Sequence, residues 1–232
     1  MNRIIIVFFL AVLISCTRCS NFPEEPSPET LTVMSFNAEN LFDSVKQGNE
    51  YPEYNPENGR WNDRNYTDKL LQVGRTIRDS VPEEKGPHII AFQEIENKNV
   101  LNELTKGLLR ESGYKYVIAS DNKDSAVNTG FISRFPCAYT KYHTPYIAPY
   151  GSMRTIIEAA FDIGGQQLII FNNHWKSKIG EESELQRKAS AHTLITRIKA
   201  IMKENPEAEI LILGDFNENA DEYLRDGKSE TK

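Results

Sequence analysis

Residues 208–219 read AEILILGDFNEN: an apolar run, Ile210 to Leu213, passes into Gly214 and then into Asp215, Phe216 and Asn217. A short apolar run closed by turn-forming residues predicts a buried strand. This one ends by delivering a carboxylate and an amide two residues apart. The same construction recurs upstream. LTVMSFN (31–37) ends in Asn37 with Glu39 just beyond, HIIAFQEI (88–95) carries Gln93 and Glu94, and QQLIIF (166–171) runs into Asn172, Asn173 and His174. Polar groups placed directly after apolar strands can converge on one sheet edge, where ligand sites form.

Between these strands the pattern changes period. A helix is predicted from about Asp63, with Leu70, Leu71, Val73 and Ile77 at helical spacing, stopping before Pro82. VLNELTKGLLRESG (100–113) predicts an amphipathic helix ended by Gly113, and Glu184 to Met202 predicts a longer one. YKYVIAS (114–120) and NTGFISRFP (128–136) predict strands, the second closed by Pro136. RTIIEAAFDI, Gly164-Gly165 and QQLIIFNNHW predict a hairpin with paired glycines at its turn. The stretch SVKQGNEYPEYNPENGRWND (44–63) is too rich in Pro, Gly and Asn for regular structure. Hairpins mixed with helix-linked strands predict an α+β protein of two sheets covered by helices, not a purely parallel sheet.

The chain has 232 residues, 39% of them apolar and 26% charged, which suits one domain with a sizeable core. A net charge of −6 gives no bulk pull towards nucleic acid or anionic lipid, although a local basic patch or a metal ion can offset the overall sign. At the N-terminus, Arg3 precedes an apolar run from Ile4 to Ile14 that is short for a membrane span and fits a secretory signal. Leu13-Ile14-Ser15-Cys16 resembles the lipobox of bacterial lipoproteins. Residues 1–15 are therefore expected to be a signal peptide and Cys16 the acylated N-terminus. Acyl chains would hold the protein to the bacterial cell envelope without spanning the membrane. Residues 16–30, rich in Pro, Ser and Glu, are expected to form a flexible tether, with the domain occupying 31–232. Of the other two cysteines, Cys19 and Cys137, no pair has zinc-site spacing, and a bridge between them is open.

The chemistry of the strand-end residues is coherent. Carboxylate and amide oxygens suit a hard cation such as Mg²⁺ or Mn²⁺, and no thiolate competes for a softer metal. A cation with open positions can bind a phosphate oxygen and stabilise charge developing in phosphoryl transfer. His174 can add a hydrogen bond to that phosphate, and Asp215 with Asn217 can orient an attacking water. Residue types alone point to metal-dependent phosphoester hydrolysis.

Taken in order, MSFNAENLFD (34–43), AFQEIEN (91–97), NTGFISRFP (128–136), NNHWKSK (172–178) and LGDFNEN (213–219) resemble the endonuclease/exonuclease/phosphatase superfamily. That group includes deoxyribonuclease I, apurinic endonucleases, neutral sphingomyelinases and inositol polyphosphate 5-phosphatases. The resemblance implies a four-layer α/β/β/α sandwich with its active site at one edge of two packed sheets. It implies Asn37 and Glu94 as metal ligands, with Glu39 supporting the metal shell, often through water. It implies His174 against the scissile phosphate, and Asp215 with Asn217 orienting the nucleophile or stabilising the transition state. Arg154 stands where members often carry an arginine, and Lys176 and Lys178 are further candidates for phosphate contact.

One motif of the family, an acidic residue followed by a catalytic histidine after the final strands, has no counterpart here, because no histidine follows His192. The expectation is a domain lacking its C-terminal strands, with activity in doubt. The function expected is an exported, Mg²⁺-dependent phosphodiesterase, with nucleic acid the first substrate class and no obligate protein partner. Sphingomyelinase-like or phosphoinositide phosphatase activity is the enzymatic alternative. A non-catalytic surface binding lipoprotein is the other.

Overall fold

A computed structural model describes residues 28–219. Residues 1–27 and 220–232 lie outside the described residues, and with them the expected signal peptide, the acylated Cys16, most of the expected tether, the bridge from Cys19 and the missing C-terminal strands. No helix among the described residues is long and apolar enough to cross a membrane.

Among the described residues, ten strands and three α-helices follow one another. In order they are β1 (Val33–Leu41), α1 (Asp63–Ser80), β2 (Ile89–Ile95), α2 (Lys98–Lys106), β3 (Tyr116–Ala119), β4 (Asn128–Ser133), β5 (Cys137–His143), β6 (Tyr146–Ile147), β7 (Gly151–Ser152), β8 (Ile156–Ile163), β9 (Gln166–His174), α3 (Ser183–Glu204) and β10 (Glu209–Asp215). One four-stranded sheet has the order β1-β2-β4-β3 and the other β10-β9-β8-β5, while β6 and β7 form a separate small hairpin. β1 runs parallel to β2, and β10 parallel to β9; each pair is joined through a helix, as parallel neighbours require.

Strand alternation builds the layers. On β2, Ile90 and Phe92 pack with Val73 and Ile77 of α1 and with Leu101 and Leu104 of α2. Ile89 and Ala91, on the opposite face, pack between the sheets with Phe131, Ile157, Ala159, Phe161 and Ile170. On the far side, Ile156, Ala160, Ile169 and Phe171 pack with Leu194 and Ile201 of α3. The result is helices, sheet, sheet, helix: the four-layer sandwich. Each buried Val, Leu, Ile or Phe side chain among them contributes about 1.5–3 kcal/mol.

Local signals set the boundaries. Asn62 caps α1 by accepting from the backbone N–H groups of Arg64 and Asn65, and Asn97 does the same for α2 with Asn99 and Val100. The helix expected to reach Gly113 stops at Lys106, where Gly107 closes it, and resumes only as a 3₁₀ turn at Arg110–Ser112. β5 and the β6–β7 hairpin were not expected: CAYTKYH alternates without a strong apolar face, and its half-exposed edge position tolerates that. The irregular stretch before α1 is ordered by aromatic packing, with Phe42 stacked on Tyr54 at 4.6 Å and Tyr54 edge-on to Trp61 at 4.9 Å.

One polar contact ties the two sheets together at the end where the candidate residues gather. Asn172 of β9 accepts from Gln93 Nε2 at 2.7 Å and donates to the carbonyls of Phe92 and Gly130 at 2.8 and 2.9 Å. Both side chains are buried. They align the sheets and do not face a ligand.

Candidate active site

The site lies where β1, β2, β9 and β10 end. β1 and β2 keep register through Asn37 and Gln93, then shift before Leu41 and Ile95. The irregularity is carried by left-handed backbone at Glu39 (φ 51°), Asn40 (φ 63°) and Glu94 (φ 59°). Non-glycine residues there cost roughly 1–3 kcal/mol each and persist where the surroundings impose them. The strand ends turn Asn37 and Glu94 towards each other.

On the other sheet, β10 delivers Asp215. Gly214, at φ 132°, has no room for a side chain, because a Cβ would lie 2.0 Å from the Asn173 carbonyl oxygen. Asp215 Oδ1 accepts from the Asn217 backbone N–H at 2.9 Å, and Asn217 itself is left-handed at φ 52°. Asn217 Nδ2 donates to the Trp175 carbonyl at 3.0 Å.

These elements bring together Glu94, His174 and Asp215, whose ligand atoms all lie within 4.8 Å of one another. Asn37 Nδ2 sits between the two carboxylates, donating to Glu94 Oε1 and Asp215 Oδ2 at 3.1 Å each. Its Oδ1 accepts from the Glu39 backbone N–H at 2.9 Å. Asn37 thus holds the carboxylates in place with its nitrogen and does not present its oxygen to them. Glu39 contributes that backbone group; its side chain is 87% exposed and lies 3.9 Å from Lys69 Nζ.

His174 is buried on β9. Its Nε2 is 2.9 Å from Arg154 Nη1 and 3.5 Å from Glu94 Oε1, and its Nδ1 is buried without a partner. Burial, and then the Arg154 charge, push its pKa down to about 3, so the ring is neutral near pH 7. Arg154 also donates to the Trp175 carbonyl at 2.9 Å. Lys176 lines a small hollow with Arg154, while its carbonyl accepts from Arg187 at 3.3 Å. Lys178 is 3.6 Å from Glu218.

Trp175 was not singled out from the sequence, yet it organises the site. Its carbonyl holds both Arg154 and Asn217, its N–H donates to the Asp215 carbonyl at 2.8 Å, and its Nε1 donates to Asn173 Oδ1 at 3.2 Å. The ring packs edge-on against Phe216 at 4.9 Å. The signal was its place directly after His174, with an indole N–H that needs a buried acceptor.

The donor set fits a divalent cation. Glu94 and Asp215 bring carboxylate oxygens close enough to share one ion, and oxygen donors suit Mg²⁺ or Mn²⁺.

Comparison with known proteins agrees with this architecture. The model of the Endonuclease/Exonuclease/phosphatase family matches residues 32–229. TDP2 from Caenorhabditis elegans aligns at 23% identity with a TM-score of 0.55, covering 83% of this chain and 48% of that one. The beta hairpin deletion mutant of beta toxin from Staphylococcus aureus aligns at 15% identity and a TM-score of 0.55, covering 82% and 68%. An endonuclease/exonuclease/phosphatase family protein from Bacteroides thetaiotaomicron aligns at 18% identity and 0.52, covering 81% and 63%. The chain therefore spans about half the length of the nematode protein it matches. No curated protein matches the chain.

Proposed function

The chain belongs to the Endonuclease/Exonuclease/phosphatase family, and from that premise we propose that it is a divalent-metal-dependent phosphodiesterase. The observation that carries the reading is the convergence of Glu94, His174 and Asp215 from three strand ends, with Asn37 bonded to both carboxylates. Glu94 and Asp215 would hold Mg²⁺ or Mn²⁺ through carboxylate oxygens, with His174 beside them. When bound, the cation supplies Lewis-acid polarisation of a phosphate oxygen.

The remaining roles fall to the chain's own groups. Arg154 presents guanidinium donors beside the cluster and offers a fixed positive charge to a phosphate oxygen. Asp215, held by the Asn217 N–H, would orient an attacking water. The Trp175 carbonyl keeps Arg154 and Asn217 at their separation, so the phosphate donor and the partner of Asp215 are set by one peptide group.

Nucleic acid is the substrate class that the sequence resemblance puts first, and TDP2 from D. rerio has been seen with a single strand DNA product. The reading also includes export, with Cys16 acylated at the bacterial cell envelope. Mass spectrometry of Cys16 and a Cys16→Ser variant that is released from membranes test that part.

The activity is tested with bis(4-nitrophenyl) phosphate and Mg²⁺ or Mn²⁺, with and without EDTA. Turnover that EDTA abolishes, and that falls by at least about 10²-fold in Glu94→Gln and Asp215→Asn, is the expected result. Tight Mn²⁺ binding without turnover on any phosphoester would favour the non-catalytic binding reading. Absence of both turnover and metal binding would end the proposal.

A further inference from the structure

α3 lies on the outer face of the second sheet through a stripe of buried residues, Ser183, Arg187, Ser190, Leu194 and Ile201, at helical spacing. Leu194 and Ile201 pack with the sheet, as an apolar stripe should. Arg187 departs from that pattern. Its side chain is 8% exposed, at a position where burial favours Leu or Ile. A charge taken out of water needs partners of good geometry. Arg187 finds two acceptors, each on a loop of the candidate active site.

Its Nε donates to Glu218 Oε1, on the loop after β10, and its Nη1 donates to the Lys176 carbonyl at 3.3 Å, on the loop after β9. One planar guanidinium therefore joins the two loops, a geometry that the fork of an arginine suits and a single ammonium does not. Lys178 Nζ adds to the join from 3.6 Å away, at Glu218 Oε2. Closer to the strands, the Trp175 N–H donates to the Asp215 carbonyl at 2.8 Å and Asn217 Nδ2 to the Trp175 carbonyl at 3.0 Å. Arg187 continues that series one residue further along each loop.

What it fixes lies at the site. Glu218 directly follows Asn217, whose left-handed backbone, at φ 52°, persists only where its surroundings impose it. Lys176 lines the hollow beside Arg154. Glu94, His174 and Asp215 stand on strands and are held by sheet pairing, independently of α3.

We propose that Arg187 is a positioning residue: by tying Lys176 to Glu218 it holds the two strand-end loops, and Asn217 with them, in the arrangement that turnover requires. It does so from α3, without itself being part of the metal cluster. The inference rests on the phosphodiesterase reading for its kinetic consequence.

Arg187→Met tests it against Arg197→Met, which breaks another ion pair of the same helix, the bidentate one with the buried Glu158 at 2.7 and 2.8 Å. With bis(4-nitrophenyl) phosphate and Mn²⁺, Arg187→Met should lower kcat at least tenfold, towards the roughly 10²-fold that a misplacement of about 1 Å can cost. KM, and Mn²⁺ affinity by calorimetry, should stay within about twofold of wild type, because the carboxylates have not moved. Arg197→Met should lower the melting temperature at least as much and keep kcat. In nuclear magnetic resonance spectra the Trp175 indole N–H signal should shift in Arg187→Met, while that of Trp61, bonded to the Asp43 carbonyl, stays in place. Should Arg187→Met not fold, Glu218→Gln, at a partly exposed position, takes its place with the same expected pattern. Unchanged kcat, an equal loss of kcat in Arg197→Met, or Mn²⁺ affinity that falls in step with kcat would overturn the role. Failure of the phosphodiesterase reading looks different: the wild type itself does not turn over. The tie is then read by the Trp175 signal alone, and an unmoved signal would overturn it there too.

Discussion

Arg154 places Nη1 2.9 Å from Nε2 of the buried His174. A guanidinium only donates, so Nε2 accepts and the ring proton resides on Nδ1, which is buried without an acceptor. The arrangement ties the Nε2 lone pair to Arg154 and holds the neutral ring against the cluster. In Arg154→Met the smaller of the two causes of the low pKa is gone while burial remains. The His174 pKa should then rise from about 3 yet stay below the ordinary 6.5. A histidine titration by nuclear magnetic resonance on metal-free protein measures this directly. A wild-type ring that titrates near 6.5 would contradict the geometry.

Asn37 is the neutral spacer between Glu94 and Asp215, 3.1 Å from each. Asn37→Asp replaces its two donors by a third carboxylate, so the metal-free protein should lose about 2–4 kcal/mol of stability. The added negative charge should also make Mn²⁺ stabilise the variant more than it stabilises the wild type. Thermal melts with and without Mn²⁺ provide the comparison. An Asn37→Asp protein as stable as wild type without metal would show that the three side chains are not packed together.

Gly214 is constrained twice, by its φ of 132° and by the Asn173 carbonyl oxygen 2.0 Å from where a Cβ would stand. Gly214→Ala must push β10 away from β9 just before Asp215. The expected cost is about 3–5 kcal/mol, the upper end for a single substitution, and a loss of Mn²⁺ affinity along with it. Chemical denaturation and calorimetry read the two effects. A folded variant with unchanged metal affinity would mean that Asp215 is positioned by something other than the β9–β10 pairing.

Much of this was legible in the sequence, for reasons that differ by residue. Ile210 to Leu213 signal a strand without reference to distant partners, although β10 is half-buried with Ile212 43% exposed, not buried as expected; the Asn62 and Asn97 caps are local chemistry. Glu94, His174 and Asp215 stood out because polar groups immediately after apolar runs are conspicuous. Their mutual distance was not readable, since it depends on how the sheets are aligned through Gln93 and Asn172. Those two residues looked like site residues by the same rule and turned out to be structural. Glu39 is legible in a different way: by its place, not by its direction. A backbone φ of 51° turns its side chain to solvent, and nothing in the letters NAEN announces that. Trp175 acts mainly through its backbone carbonyl, which side-chain chemistry cannot reveal.

Glu96 gives the fold a pH dependence of its own. Its side chain is 4% exposed; Oε2 accepts from the Asp43 backbone N–H at 2.8 Å, and Oε1 has no partner. Burial, opposed in part by that N–H and reinforced by the charges of Asp43 and Glu50, raises its pKa from 4.5 to about 8. The folded chain therefore holds a proton that the unfolded chain has lost between those values. Stability from this group is fully present below pH 4.5 and drains away as pH rises through 8, with a slope of up to about 1.4 kcal/mol per pH unit. Glu96→Gln resembles the protonated form at every pH. Relative to wild type it should gain stability steadily from pH 5 to pH 8 in urea titrations of metal-free protein, with little change below pH 4.5. A difference between the two proteins that is constant across that window would show that Glu96 is ionised in the folded state at neutral pH.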